Sequence, residues 1–219
     1  MAAAFVLIVL FTLIYRRLQP PARHKLLMGA TLLLVGGLIA RLAWVSLIGH
    51  FSAREMLPLH LCSISVLIEA AAFFSGSPVL KEFSYSCSLP GALAAILTPA
   101  WGAYAFISYP YLQLALEHTL LILLPVAWVW GDGFRPTVRR LPACFGMLLL
   151  LAVISAVVNW QIGSNYMFLS IAPPGTILAV FESWLGNPGY LVLLVALLLA
   201  VWLLLYLPWL IVARFKSII

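Results

Sequence analysis

A histidine and a thiol stand two residues apart in Pro58-Leu59-His60-Leu61-Cys62, at the start of a stretch that otherwise reads as lipid-soluble, and a second imidazole, His118, sits inside another apolar stretch. Ionisable and reactive side chains are expensive in hydrocarbon, so each asks for a functional account. A thiol in apolar surroundings is inert, but a nearby imidazole and the positive end of a helix favour the thiolate. Such a pair can take up an acyl group as a thioester and pass it to water or an alcohol. His60 is the poorer partner for Cys62: at about 100° per residue, positions two apart project to opposite sides of a helix. Cys62 instead shares a stripe with Ser65 and Glu69, so His118, arriving from a different segment, is the candidate base, with His60 left to support the site or hold a headgroup.

Other polar residues fall at similar depths. Asn159, Asn165 and Tyr166 are candidates to steady an oxyanion or hold a headgroup, and Thr98 closes a neighbouring segment. Arg41 and Glu69 lie deeper, at about 14 and 18 Å, and suit either a structural ion pair or a proton or ion path. Glu117 projects about 100° from His118 and is badly placed to orient that ring. For Cys62 itself packing stays open as the alternative, since free cysteine behaves as a small hydrophobe.

The elements that must carry these groups follow from composition. With 65% hydrophobic and 8% charged residues and a mean hydropathy of +1.14, the chain lacks the polar surface of a soluble globule. The expected fold is all-α: a single integral membrane domain over 1–219 with seven transmembrane helices near 2–15, 26–49, 57–74, 84–105, 111–130, 141–162 and 188–211. Residues 2–15 read as a retained helix, because neither a basic leader nor a small-x-small cleavage site accompanies them. Pro90, Gly91 and Pro99 interrupt the fourth segment, and Pro58 is expected in the first turn of the third, with Cys62 about 7–8 Å below that helix's outer end and His118 at about 12 Å on the fifth.

Arg16, Arg17, Arg23, Lys25, Lys81, Arg135, Arg139, Arg140, Arg214 and Lys216 share one side if the helices alternate, against Arg54 on the other. That asymmetry predicts an N-terminus outside and a C-terminus in the cytoplasm. The pI near 9.5 is then a topology signal: the charges form no concentrated face for nucleic acid, and lipid headgroups are partners enough. Self-association into a homo-oligomer stays open. Cys87 and Cys144 fall near cytoplasmic ends, where a disulfide is disfavoured, so Cys62 has no disulfide partner on its own side. The loop 163–187, with Tyr166, Phe168, Phe181 and Trp184, is long for a connection and reads as an interfacial or re-entrant piece, either a lid or an aromatic anchor.

No phosphate-cradling glycine loop, HExxH or CxxC is present, so neither a metal nor another cofactor is called for. Two further classes compete with the acyl-transfer reading. A small-molecule or proton-coupled transporter would use Arg41, Glu69, Glu117 and His118 as a polar path. A metal or haem protein would ligate through His118 with His60 or Cys62, a thin set for a closed site.

Taken together, Pro58-Leu59-His60-Leu61-Cys62-Ser63-Ile64-Ser65, Leu97-Thr98-Pro99, His118, Asn159 and Gly163-Ser164-Asn165-Tyr166-Met167-Phe168-Leu169 resemble the YwaF-like integral membrane proteins of bacteria, from about residue 25 to 210. That family is similar to an animal TMEM-type protein described as a phospholipid acyltransferase. The resemblance implies the bacterial inner membrane, a lipid substrate, Cys62 as nucleophile and His118 as the later histidine. A more distant similarity, to androgen-induced hydrolases of lipid esters that use a threonine and a histidine, would put Cys62 in place of the threonine.

Overall fold

Proline and serine set the helix starts. Pro20 and Pro21 open α2 (Pro20–Leu47), and Ser77, whose hydroxyl accepts from the Leu80 N–H, caps α4 (Pro78–Phe83), with Pro78 in its first turn. Proline loses nothing there, because first-turn N–H groups have no intrahelical acceptor. The computed structural model describes residues 2–98 and 104–216, with side chains over 6–98 and 104–212, and all regular structure among them is helical. The remaining helices are α1 (Ala2–Arg17), α3 (Leu61–Ser75), α5 (Leu89–Leu97), α6 (Tyr109–Val126), α7 (Leu141–Ile162), α8 (Ile177–Leu185) and α9 (Tyr190–Lys216).

Four stretches are long and apolar enough to cross a bilayer: Pro20–Leu47, Tyr109–Gly131, Val138–Ile162 and Tyr190–Val212. The protein is therefore a multi-pass membrane protein by its helix composition. At 15 residues α3 is apolar but shorter. Where one segment was expected over 84–105, helix runs from Pro78 through a wide turn at Ser84–Ser88 into α5, which stops at Leu97; Pro99 lies outside the described residues. A similar wide turn at Ala127–Gly131 follows Pro125, whose ring removes one backbone donor from the last turn of α6.

The third segment begins later than the sequence suggested. Pro58 sits in a turn, with the Leu59 N–H on the Leu57 carbonyl at 2.8 Å, and helix starts at Leu61. Cys62 is thus the second residue of α3, about 1.5 Å along the axis rather than 7–8 Å.

The described residues group into two compact units, Met1–Phe51 with Leu61–Arg135, and Ser52–His60 with Pro136–Ile219. In the first unit α2, α3 and α6 pack on one another around Leu34, Leu38, Val66 and Leu121. A polar corner ties α1 to the end of α6. The Tyr15 hydroxyl donates to Asp132 Oδ1 at 2.8 Å, and the Arg23 guanidinium donates to the carbonyls of Arg16, Leu18 and Gly131 with Asp132 Oδ1 4.0 Å away. Gly131 is what allows this approach, because a Cβ there would fall on the buried Tyr15 ring. With that ring held by Asp132, Gly131→Ala should destabilise by about 1–3 kcal/mol through overpacking. Thermal unfolding in detergent measures it, and an unchanged midpoint would refute the close packing.

Candidate functional site

In the first unit, three helices converge on a polar centre. The inward stripe of α2 that buries Leu34, Leu38 and Val45 also carries Arg41, whose Nη2 donates to Ser63 Oγ at 3.0 Å. Ser63 follows Cys62 in the first turn of α3, where backbone N–H groups have no acceptor in their own helix. From α6 come Gln113, Glu117 and His118, all buried. Gln113 Nε2 donates to Glu117 Oε2 at 2.7 Å, one helical turn apart on the same face.

The His118 ring is oriented by its own helix. Its Nδ1 lies 2.7 Å from the Leu114 carbonyl oxygen. A carbonyl only accepts, so Nδ1 carries the proton and the neutral ring has its lone pair on Nε2. Arg41 and Glu117 act electrostatically on both the Cys62 thiol and the His118 ring, which places the two in one charged environment. No hydrogen bond joins thiol and ring among the described residues. Of the three cysteines, Cys62 is partly exposed whereas Cys87 and Cys144 are buried, and all three are unbridged.

Arg41 and Glu69 are not brought together. Arg41 is engaged at Ser63, six residues and about 9 Å nearer the start of α3 than Glu69. Both Glu69 carboxyl oxygens are buried without a hydrogen-bond partner, as are Ser65 Oγ, Gln113 Oε1, Glu117 Oε1 and Arg41 Nε. Thr98 caps its own helix instead of facing a site: its Oγ1 donates to the Ala94 carbonyl at 2.9 Å on an exposed surface.

The second unit holds His60, Asn159, Asn165 and Tyr166, and there the asparagines build a loop. Asn159, near the end of α7, accepts on Oδ1 from the Tyr166 N–H and the Ser164 hydroxyl, both at 2.7 Å, and donates from Nδ2 to the Tyr166 carbonyl at 2.9 Å. Gly163, at φ 66°, supplies the left-handed residue that turns the chain out of the helix. Asn165 repeats the device downstream, accepting from the N–H groups of Ser170 and Ile171 and donating to the Ile171 carbonyl at 2.8 Å. The Tyr166 hydroxyl donates to the Ala53 carbonyl at 2.7 Å and accepts from the Leu57 N–H at 2.9 Å. Burial is the main cause that raises this phenol above its ordinary pKa; the Leu57 N–H opposes the rise and the Glu55 charge adds to it. The His60 ring lies 5.1 Å from that of Tyr166 and 5.2 Å from that of Phe168.

Sequence reasoning passed over Ser63 and Gln113. Gln113 had a readable signal, a Gln/Glu pair at i and i+4 inside an apolar helix. Ser63 had none beyond its place next to Cys62.

The comparisons with known proteins agree with this picture of a membrane protein. A protein of Treponema pallidum (strain Nichols), described as an uncharacterized protein, is 28% identical over 207 residues, covering 94% of this chain and 84% of its own length. No solved structure matches. The TMEM164 family matches residues 1–206, nearly the whole sequence, and the chain belongs to that family.

Proposed function

We propose that the protein moves an acyl group of a membrane lipid, to an alcohol or to water, with Cys62 as nucleophile and His118 as general base. The observation that carries this reading is the fixed His118 tautomer: Nδ1–H is held by the Leu114 carbonyl, which leaves Nε2 as the basic atom, within the charged environment that Cys62 shares. The thiol proton passes to Nε2, sulfur bonds to the ester carbonyl carbon, the carbon–oxygen ester bond breaks, and the leaving alkoxide takes the proton back. An acceptor hydroxyl, deprotonated by the same nitrogen, then attacks the thioester and releases the thiol. Catalytic hydrogen bonds commonly tighten only when substrate is in place, so a resting pair without a direct bond fits this scheme.

Asn159 and Asn165 are engaged within their own loop, so neither serves as an oxyanion donor in this scheme. Around this centre we read seven spans from the apolar runs, in the bacterial inner membrane that the family resemblance implies, with the N-terminus outside and the C-terminus in the cytoplasm on the strength of the basic-residue asymmetry. Labelling tests the nucleophile. A lipid-tailed thiol-reactive probe should modify Cys62 ahead of the buried Cys87 and Cys144, as read by peptide mass spectrometry. Preferential modification of either buried thiol would remove Cys62 from the role.

A further inference from the structure

Arg41 is a cation in a membrane-spanning helix without a carboxylate partner. Its stripe on α2, between Leu38 and Val45, faces inward, six residues or about 9 Å from the helix end at Leu47. An ion pair of Arg23 with Asp132 lies at the other end of α2. Glu69 has no partner, and Glu117 accepts from Gln113. Arg41 is committed through one nitrogen, Nη2, to the Ser63 hydroxyl, while its Nε is buried with its hydrogen unused. Charged groups inside a membrane are ordinarily paired, and a planar guanidinium with donors to spare is suited to grip two oxygens of an oxyanion at once. A second source of positive potential stands beside it. Ser63 is the third residue of the 15-residue α3, where unpaired N–H groups and the helix dipole also favour an anion.

We propose that Arg41, Ser63 and the first-turn amides of α3 form a subsite for a phosphate group, placed next to Cys62. Phosphate fits better than carboxylate because guanidinium, hydroxyl and helix N-terminus supply donors from three separate groups, and phosphate offers more than two acceptor oxygens. The inference deepens the acyl-transfer reading, since a phosphate held here would bring the ester of a phospholipid toward the thiol. Its test needs no turnover.

The experiment measures binding to the purified full-length protein in detergent by native mass spectrometry, with two diether lipids of equal chain length, one a phosphatidic acid analogue and the other the dialkylglycerol without phosphate. Neither has an ester to react with, so failure of the Cys62 chemistry would leave the measurement untouched. The wild-type protein should prefer the phosphate-bearing lipid by about tenfold or more, the difference expected for charge-assisted hydrogen bonds. Arg41→Gln should erase the preference. Arg41→Lys, which keeps the charge but loses the fork, should retain a reduced preference and covers the case in which the glutamine variant does not fold. Inorganic phosphate forms the second arm. Saturable, Arg41-dependent binding of the free ion would support the subsite and name the ion as its source, whereas Arg41-dependent preference confined to the lipid would support it with the headgroup as the source. Equal affinity of the wild-type protein for the two lipids, or an unchanged preference in both Arg41 variants, overturns the proposal.

Discussion

Cys62→Ala should lower acyl transfer by at least about 10³-fold, because it removes the sulfur that carries the acyl group in the thioester intermediate. Removing the base should reduce the rate by about 10²–10⁴-fold, so His118→Ala is expected to fall in that range. The double variant should be little worse than the poorer single one, since nucleophile and base act as a unit. His118 bonds the Leu114 carbonyl within its own helix, and Cys62 is partly exposed. The variants should therefore elute as the wild type does in size-exclusion chromatography and keep its helical circular dichroism. Transfer of a labelled acyl chain between lipids in reconstituted vesicles measures the effect, and wild-type rates in both single variants would exclude the mechanism.

The second large effect belongs to Asn159. Truncation to alanine strands the Tyr166 N–H and the Ser164 hydroxyl and takes from the Tyr166 carbonyl one of its two donors, the other being the Leu169 N–H. A buried polar group left unsatisfied costs about 1–3 kcal/mol, so Asn159→Ala should destabilise the 164–171 loop by several-fold to a hundredfold or more in its opening equilibrium. Asn159→Asp keeps the acceptor and loses the donor, and should fall between. Hydrogen exchange of peptides covering 160–171 reads this out. Protection equal to wild type in the alanine variant would show that the amide is not what holds the loop.

Much of the helical layout could be read from apolar runs, because a bilayer demands length and hydrophobicity that few other contexts require. The segment at 141–162 coincides with α7, and the run at 111–130 lies within the helical stretch Tyr109–Gly131. The start of α3 was misplaced because a proline has two uses that look alike in sequence, in a first helical turn and in a turn just before a helix. Pro58 serves in the second. The asparagines were read as facing a ligand because a polar residue at the end of an apolar segment gives no hint of its partners. Asn159 spends both its amide atoms on residues five and seven positions ahead, and such short-range closure depends on backbone angles that no periodicity encodes. Arg41 and Glu69 failed to pair for a related reason: counting residues from helix ends gives heights, whereas the reach of an arginine and the registry of two helices decide which acceptor it finds.

The loop that Asn159 and Asn165 hold together has a further consequence. Apolar association loses its driving force where the surroundings are themselves oily, so helices meeting in a membrane answer to lipid composition and thickness. A segment ordered by its own amides draws little from that medium. Thinner or thicker bilayers can change the tilt of α7 and α9 while the peptide rim from Ser164 to Ile171 keeps its contour, a constant edge on a body that adapts to its host.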